Sequence, residues 1–290
     1  MTTPAHIASN ATMTPSASIV GSSGIDTGTR INARQLALLL RIAMADAPLL
    51  DTITFTTRRV GQGESLFHIG DPFQSLYVVR TGVMKTITLD ASGAEQVVCF
   101  PMRGDALGAD GIASGRYTAA VIALEASDAI VVPLATIRRF ARECPSLDHL
   151  VIQLISRSIV QEQALLCIIG TLGAEGRVAA FLLDLSERMG ALGYSRSSLV
   201  LRMTRQEIGS YLGLQLETVS RAFSAFAAAG IIRANLKQID ILDVEGLRRV
   251  GHEPVSIPQR ALVRRVSAPS KHHAPVTPRP VQTLFSYAVA

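Results

Sequence analysis

The spacing of apolar and polar positions changes along the chain and marks three kinds of structure. From about Asn32 to Ala45 it predicts a short helix. From Thr52 to Pro133 the apolar residues come in short β-rich runs such as Ser75-Leu76-Tyr77-Val78-Val79, with glycines between them from Gly61 to Gly115. Many short strands with glycine at the corners predict a compact β-roll or barrel. A long apolar helix then covers Leu147 to Leu172. Within it Ile152, Ile155, Ile159, Glu162, Leu166 and Ile169 fall three and four residues apart in alternation, the seam of two helices packing along each other. Leu150, Val151, Leu154, Val160, Leu165 and Ile168 are apolar as well, so one face can cover the β-roll and the other a second copy of the chain. Glu162 interrupts the seam. Either it reaches water at the seam edge, or it meets its own copy across the dimer axis, where two carboxylates would weaken the pair.

The next pattern is two short helices. Thr204 stands three residues before Glu207, a capping box that starts a helix through Leu212, with Gly213 as the turn. A second helix begins near Gln215 and runs to Ala229, where Gly230 stops it. Small Gly209 lets the two helices cross closely, with Ile208, Leu212, Leu214, Val219 and Phe223 as their shared core. This is a helix-turn-helix pattern. Ile231–Arg233 and Gln238–Ile241 then predict two short strands, a β-wing.

Such motifs place the start of the second helix in the DNA major groove. Its exposed polar residues are predicted to be Gln215, Glu217, Thr218, Ser220 and Arg221. Arginine can grip guanine O6 and N7 in two-pronged fashion, and glutamate can accept from cytosine N4. Glu217 and Arg221, four apart, would otherwise form a surface salt bridge worth only a few tenths of a kcal/mol. Thr204, Arg205, Thr218 and Lys237 suit backbone phosphates, which position a protein without specifying sequence.

Composition narrows the picture further. The net charge of +5 permits a polyanionic partner. Cys99, Cys144 and Cys167 are too few and too scattered for a disulfide framework or a zinc site. No run reaches the ~18–20 consecutive apolar residues of a membrane span, and the N-terminus lacks a secretory pattern, so the expectation is a cytoplasmic protein without a membrane partner. Residues 1–30, rich in Ala, Ser, Thr and Gly, and 251–290, rich in Pro and basic residues, are expected to be disordered tails. The hydrolase, zinc-protease, Walker and Rossmann motifs are absent, which argues against an enzyme.

Two separate stretches carry a resemblance. Met203-Thr204-Arg205-Gln206-Glu207-Ile208-Gly209-Ser210-Tyr211-Leu212-Gly213-Leu214, followed by Glu217-Thr218-Val219-Ser220-Arg221, resembles the Fnr branch of the Crp/Fnr transcription regulators. So do Gly63-Glu64-Ser65-Leu66-Phe67 and Leu76-Tyr77-Val78-Val79-Arg80-Thr81-Gly82, in the family's order. The resemblance covers about residues 32 to 250. It implies an α+β chain with a cyclic-nucleotide-binding-type β-roll over 31–146, a dimerisation helix over 147–173 and a winged helix-turn-helix over 174–250. It also implies a homodimer that reads a TTGAT-like palindrome in double-stranded DNA through Glu217, Ser220 and Arg221. Contact with RNA polymerase would come through roll loops such as Asp90 to Glu95.

Departures from the family pattern limit what carries over. Oxygen-sensing relatives hold a [4Fe–4S] cluster on clustered N-terminal cysteines plus one in the β-roll. Here the first cysteine is Cys99, and Ile130 takes the place of the roll cysteine, so no cluster is expected. Cyclic-AMP-binding relatives carry a Gly-Glu-Leu and Arg-Ser/Thr-Ala phosphate cassette. The matching residues are Gly108-Ala109-Asp110 and Tyr117-Thr118-Ala119, and Arg116 stands one place before the arginine position, so no cofactor is expected. The competing reading is a small-molecule or nucleotide-responsive module in which ligand binding to the roll is the main activity.

Overall fold

The structure is a computed structural model that describes residues 29–42, 49–140 and 142–252. The expected tails lie outside these residues, apart from Thr29, Arg30, Gly251 and His252.

The chain enters through β1 (Ile31–Asn32) and α1 (Ala33–Leu40). Asn32 caps α1 by accepting from the Gln35 N–H at 2.8 Å, and the Gln35 side chain accepts from the Asn32 N–H at 3.0 Å. The helix is shorter than its apolar pattern predicts. Arg41 takes a left-handed conformation (φ 52°) and folds its N–H back onto the Ala37 and Leu38 carbonyls, which closes the last turn. The remainder of the predicted stretch, Ala43 to Ala45, lies outside the described residues.

After α2 (Leu49–Thr52) the predicted short strands follow as β2 (Thr54–Val60), β3 (Ser65–Phe67), β4 (Ser75–Thr81), β5 (Met84–Leu89), β6 (Glu95–Cys99) and β7 (Ala106–Leu107). A one-turn helix α3 (Gly111–Ser114), β8 (Ala120–Ala123) and β9 (Ser127–Pro133) complete the roll. It consists of two antiparallel sheets, ordered β1-β2-β9-β4-β7 and β3-β8-β5-β6. Val60, Leu66, Phe67, Val79, Met84, Leu107, Tyr117 and Val121 form one of its apolar clusters. The β4–β5 turn requires Gly82, because φ is +87° and a Cβ there would lie 2.1 Å from the Ser127 hydroxyl.

Helix α4 (Leu134–Phe140) leads to the long α5 (Pro145–Thr171), whose first turn carries Pro145, where the missing N–H is not needed. Leu147, Leu150 and Leu154 are buried with Leu36, Phe55, Leu76 and Ile130 in a second core under α1. Past Leu154 no residue of the helix is fully buried. Ile152, Ile159 and Leu166 are 63%, 47% and 68% exposed, and Ile155 and Ile169 are half-buried. Val160, assigned by its spacing to the roll-covering face, is also exposed. By length and composition α5 is apolar enough to cross a membrane, although its longest run without a polar side chain is only Ala164 to Gly170.

A break at Leu172-Gly173 begins the last unit, made of α6 (Ala174–Ala191), β10 (Ser198–Val200), α7 (Arg205–Leu212), α8 (Leu216–Ala228), β11 (Ile232–Asn235), β12 (Gln238–Ile241) and α9 (Val244–His252). Val178, Leu182, Leu199, Ile208, Leu212, Val219, Ile239 and Leu247 have no exposed surface. Their core is continuous with Ile87, Val97, Phe100 and Met102 of the roll. Helix α7 therefore rests against the roll rather than swinging free of it.

Candidate DNA-binding interface

The capping box forms as its spacing predicts. The Thr204 hydroxyl accepts from the Glu207 N–H at 3.1 Å, and Glu207 Oε2 accepts from the Thr204 N–H at 2.7 Å. Gly213 ends α7 at φ 65°. The turn is tight: the Leu214 N–H donates to the Gly209 carbonyl at 2.8 Å, and a Cβ on Gly209 would lie 2.6 Å from the Leu214 carbonyl oxygen. Gly209 is thus needed for the approach of the turn itself, with α8 following through Val219 at 3.5 Å.

Helix α8 starts at Leu216 with Gln215 as its cap. Val219, Ala222, Phe223 and Phe226 bury one face. The opposite face leaves Gln215, Glu217, Ser220 and Arg221 exposed on the first two turns, with Thr218 half-buried beside them. Among the described residues no ion pair engages the Glu217 carboxylate or the Arg221 guanidinium, so the alternative of a mutual salt bridge is not formed.

Arg205 behaves differently from a free surface cation. Its guanidinium lies over the Phe223 ring, 3.3 Å from the centroid, and Nη1 is buried without a hydrogen-bond partner. Burial pulls its pKa down to about 10, which leaves it charged at neutral pH. Lys237 is exposed at the tip of the wing. There β11 and β12 pair from Ile232↔Ile241 to Asn235↔Gln238 and leave Leu236-Lys237 as a two-residue loop. Leu236 takes φ 50° and is 94% exposed. Strand β10 completes the wing sheet through Leu199↔Ile239.

The structure also brings in residues that the local pattern did not reveal. Lys85 of β5 donates to Glu207 at 2.8 Å, an ion pair in which both side chains are 18% exposed. The Val97 N–H on the edge strand β6 donates to the Ser210 hydroxyl at 2.9 Å, and the Gln96 amide donates to the Ser210 carbonyl. Arg188 of α6 reaches Asp105 of the roll at 2.5 Å. Burial works to raise the Glu207 carboxyl, but hydrogen bonds from Lys85 and Thr204 outweigh it and hold the group below the usual carboxylate range. None of these pairs has a sequence signal, because Lys85 and Glu207 are 122 residues apart. Cys99, next to this junction, is half-buried, and burial, then Asp105, pushes its thiol up to about 12.

Comparison with known proteins decides what this arrangement is. Residues 176–250 match the Crp-like helix-turn-helix domain, and residues 57–144 match the cyclic nucleotide-binding domain. The transcriptional regulatory protein btr of Bordetella pertussis is 42% identical over 205 residues, 70% of this chain and 85% of that protein. The chain belongs to the Crp/Fnr family. A second Crp/Fnr relative, the transcriptional activator protein anr of Pseudomonas aeruginosa, is 36% identical over 208 residues, 72% of this chain and 85% of the relative. FixK2 from Bradyrhizobium japonicum superimposes with a TM-score of 0.61 at 25% identity, covering 69% of this chain and 98% of that one. As a Crp/Fnr protein the chain is a DNA-binding regulator of transcription, and the exposed start of α8 belongs to its DNA-binding domain.

Proposed function

We propose that two copies of the chain pair along α5 and insert α8 into successive major grooves of a TTGAT-like palindrome. Glu217, Ser220 and Arg221 read base edges, with Arg221 gripping a guanine and Glu217 accepting from a cytosine. Thr204, Arg205, Thr218 and Lys237 hold phosphates. Arg205 suits this role because it is the first residue of α7 and keeps its charge at neutral pH. Ile152, Ile155, Ile159, Leu166 and Ile169 form the dimer seam, with Glu162 among them. The exposed turn Asp90 to Glu95 faces RNA polymerase. The setting is the cytoplasm, and the roll, long helix and winged helix are the functional segments 31–146, 147–173 and 174–250.

The observation that carries this reading is the exposed, unpaired trio on the first two turns of α8, opposite a fully buried face. The test is binding of purified protein, in air and without added ligand, to a TTGAT-N4-ATCAA duplex and to a scrambled one across a salt series. Preference for the palindrome is expected. Arg221→Ala should lower that preference by about 1–3 kcal/mol, roughly 5- to 150-fold. Equal affinity of wild type for both duplexes, or no effect of Arg221→Ala, would overturn the assignment.

A further inference from the structure

Between α3 and β8 the chain forms a small cluster of hydrogen-bond donors. The Thr118 N–H, the Ala119 N–H and the Thr118 hydroxyl all point at one oxygen, Oδ2 of Asp110, at 2.6, 3.1 and 2.8 Å. Successive backbone N–H groups with a hydroxyl beside them make a concavity that favours an anion. It lies within the segment that matches the cyclic nucleotide-binding domain, whose ligands carry a phosphate. The space behind it is filled by rings. Tyr117 stacks on Phe67 at 4.0 Å and meets Phe73 edge-on at 5.4 Å, and its hydroxyl donates to the Ser75 carbonyl at 2.7 Å. The loop that carries Asp110 is pressed onto those rings. A Cβ on Gly108 would lie 2.8 Å from Tyr117, and one on Gly111 2.7 Å from Phe73. The cation beside the cluster is turned elsewhere, since Arg116 donates to the Gly70 carbonyl at 2.7 Å.

We propose that Asp110 is a built-in ligand: its carboxylate occupies the anion site of Thr118 and Ala119, so the β-roll orders itself without an anionic effector. An external phosphate would have to displace a tethered carboxylate that already satisfies all three donors. It would then find aromatic side chains where the rest of a nucleotide needs room.

The experiment is thermal unfolding of the full chain in phosphate-free buffer. Inorganic phosphate, acetate or cyclic AMP is added at millimolar concentration against chloride of equal ionic strength. Wild type should show the same midpoint with every anion. Asp110→Ala should unfold about 3–6 °C lower, and phosphate or acetate, but not chloride, should restore at least half of that loss. A wild-type midpoint raised by cyclic AMP or phosphate would overturn the proposal. So would an Asp110→Ala protein that keeps the wild-type midpoint or gains nothing specifically from phosphate or acetate. If Asp110→Ala does not fold, the wild-type measurements decide, joined by DNA affinity with and without cyclic AMP, which should be equal. The unfolding readout contains no DNA, so it stands or falls separately from the base-reading assignment.

Discussion

Arg205 and Gly209 show how one side chain, or the lack of one, sets the geometry of the reading head. The Arg205 guanidinium covers the Phe223 ring, while its Nη1 stays buried and unpartnered. An unmet buried donor costs about 1–3 kcal/mol, and a flexible apolar side chain of similar length removes that cost. Arg205→Met should therefore leave the unfolding midpoint unchanged or raised. It should also weaken binding to every duplex alike and make the salt slope of log affinity shallower by about one. Loss of preference for the palindrome alone would make Arg205 a base reader instead. At Gly209 an added methyl would meet a backbone carbonyl at 2.6 Å, which cannot rotate away. Gly209→Ala is expected to destabilise the domain by about 1–3 kcal/mol, read as a lower denaturation midpoint. An unchanged midpoint would show that the turn can give way.

At the scale of elements, α7 is held from two sides. Its own N-terminal box and the β5–β6 edge of the roll share Glu207, and Ser210 ties the next turn to β6. The Glu207 pKa is depressed in the folded chain, so its contribution to stability is present above the ordinary carboxylate value of 4.5. That contribution is lost as pH falls through the lower folded value. Lys85→Met removes the strongest of the lowering influences. The mutant should be less stable at pH 7, and its midpoint should fall less steeply between about pH 5 and 3 than that of wild type. Parallel pH profiles would show that Glu207 does not depend on Lys85. The same variant tests whether the roll positions α7 for DNA: affinity should fall while discrimination between duplexes, which we assign to α8, persists.

For the whole molecule, the exposed face of α5 leaves large apolar side chains uncovered. Ile152, Ile159 and Leu166 are each about half exposed or more on a helix about 40 Å long. In the homodimer we propose that face is covered, and Ile159→Arg should yield monomers in sedimentation together with loss of palindrome binding. Glu162 is exposed on the same helix. Glu162→Leu should tighten the dimer, and equal dimer constants for mutant and wild type would place Glu162 at the seam edge, in water.

Features set by neighbours along the chain were legible in the sequence. The Thr204–Glu207 box, the Gly213 turn, the apolar face of α8 and the long helix α5 depend on residues three, four or seven apart, whose placement follows from helix geometry alone. The β-rich runs and their glycines were legible as strands and corners, though not as which strand pairs with which. Strand β10 escaped notice because three residues carry no period, and its partner β12 lies about forty residues on. The early end of α1 was decided by Arg41 adopting a left-handed turn, which an apolar count cannot show. The Lys85–Glu207 pair, the half-burial of Arg205 over Phe223 and the Asp110 contacts needed the tertiary structure. Each joins groups whose meeting depends on how sheets and helices pack, and burial, which sets their charge and partners, exists only once the chain has folded.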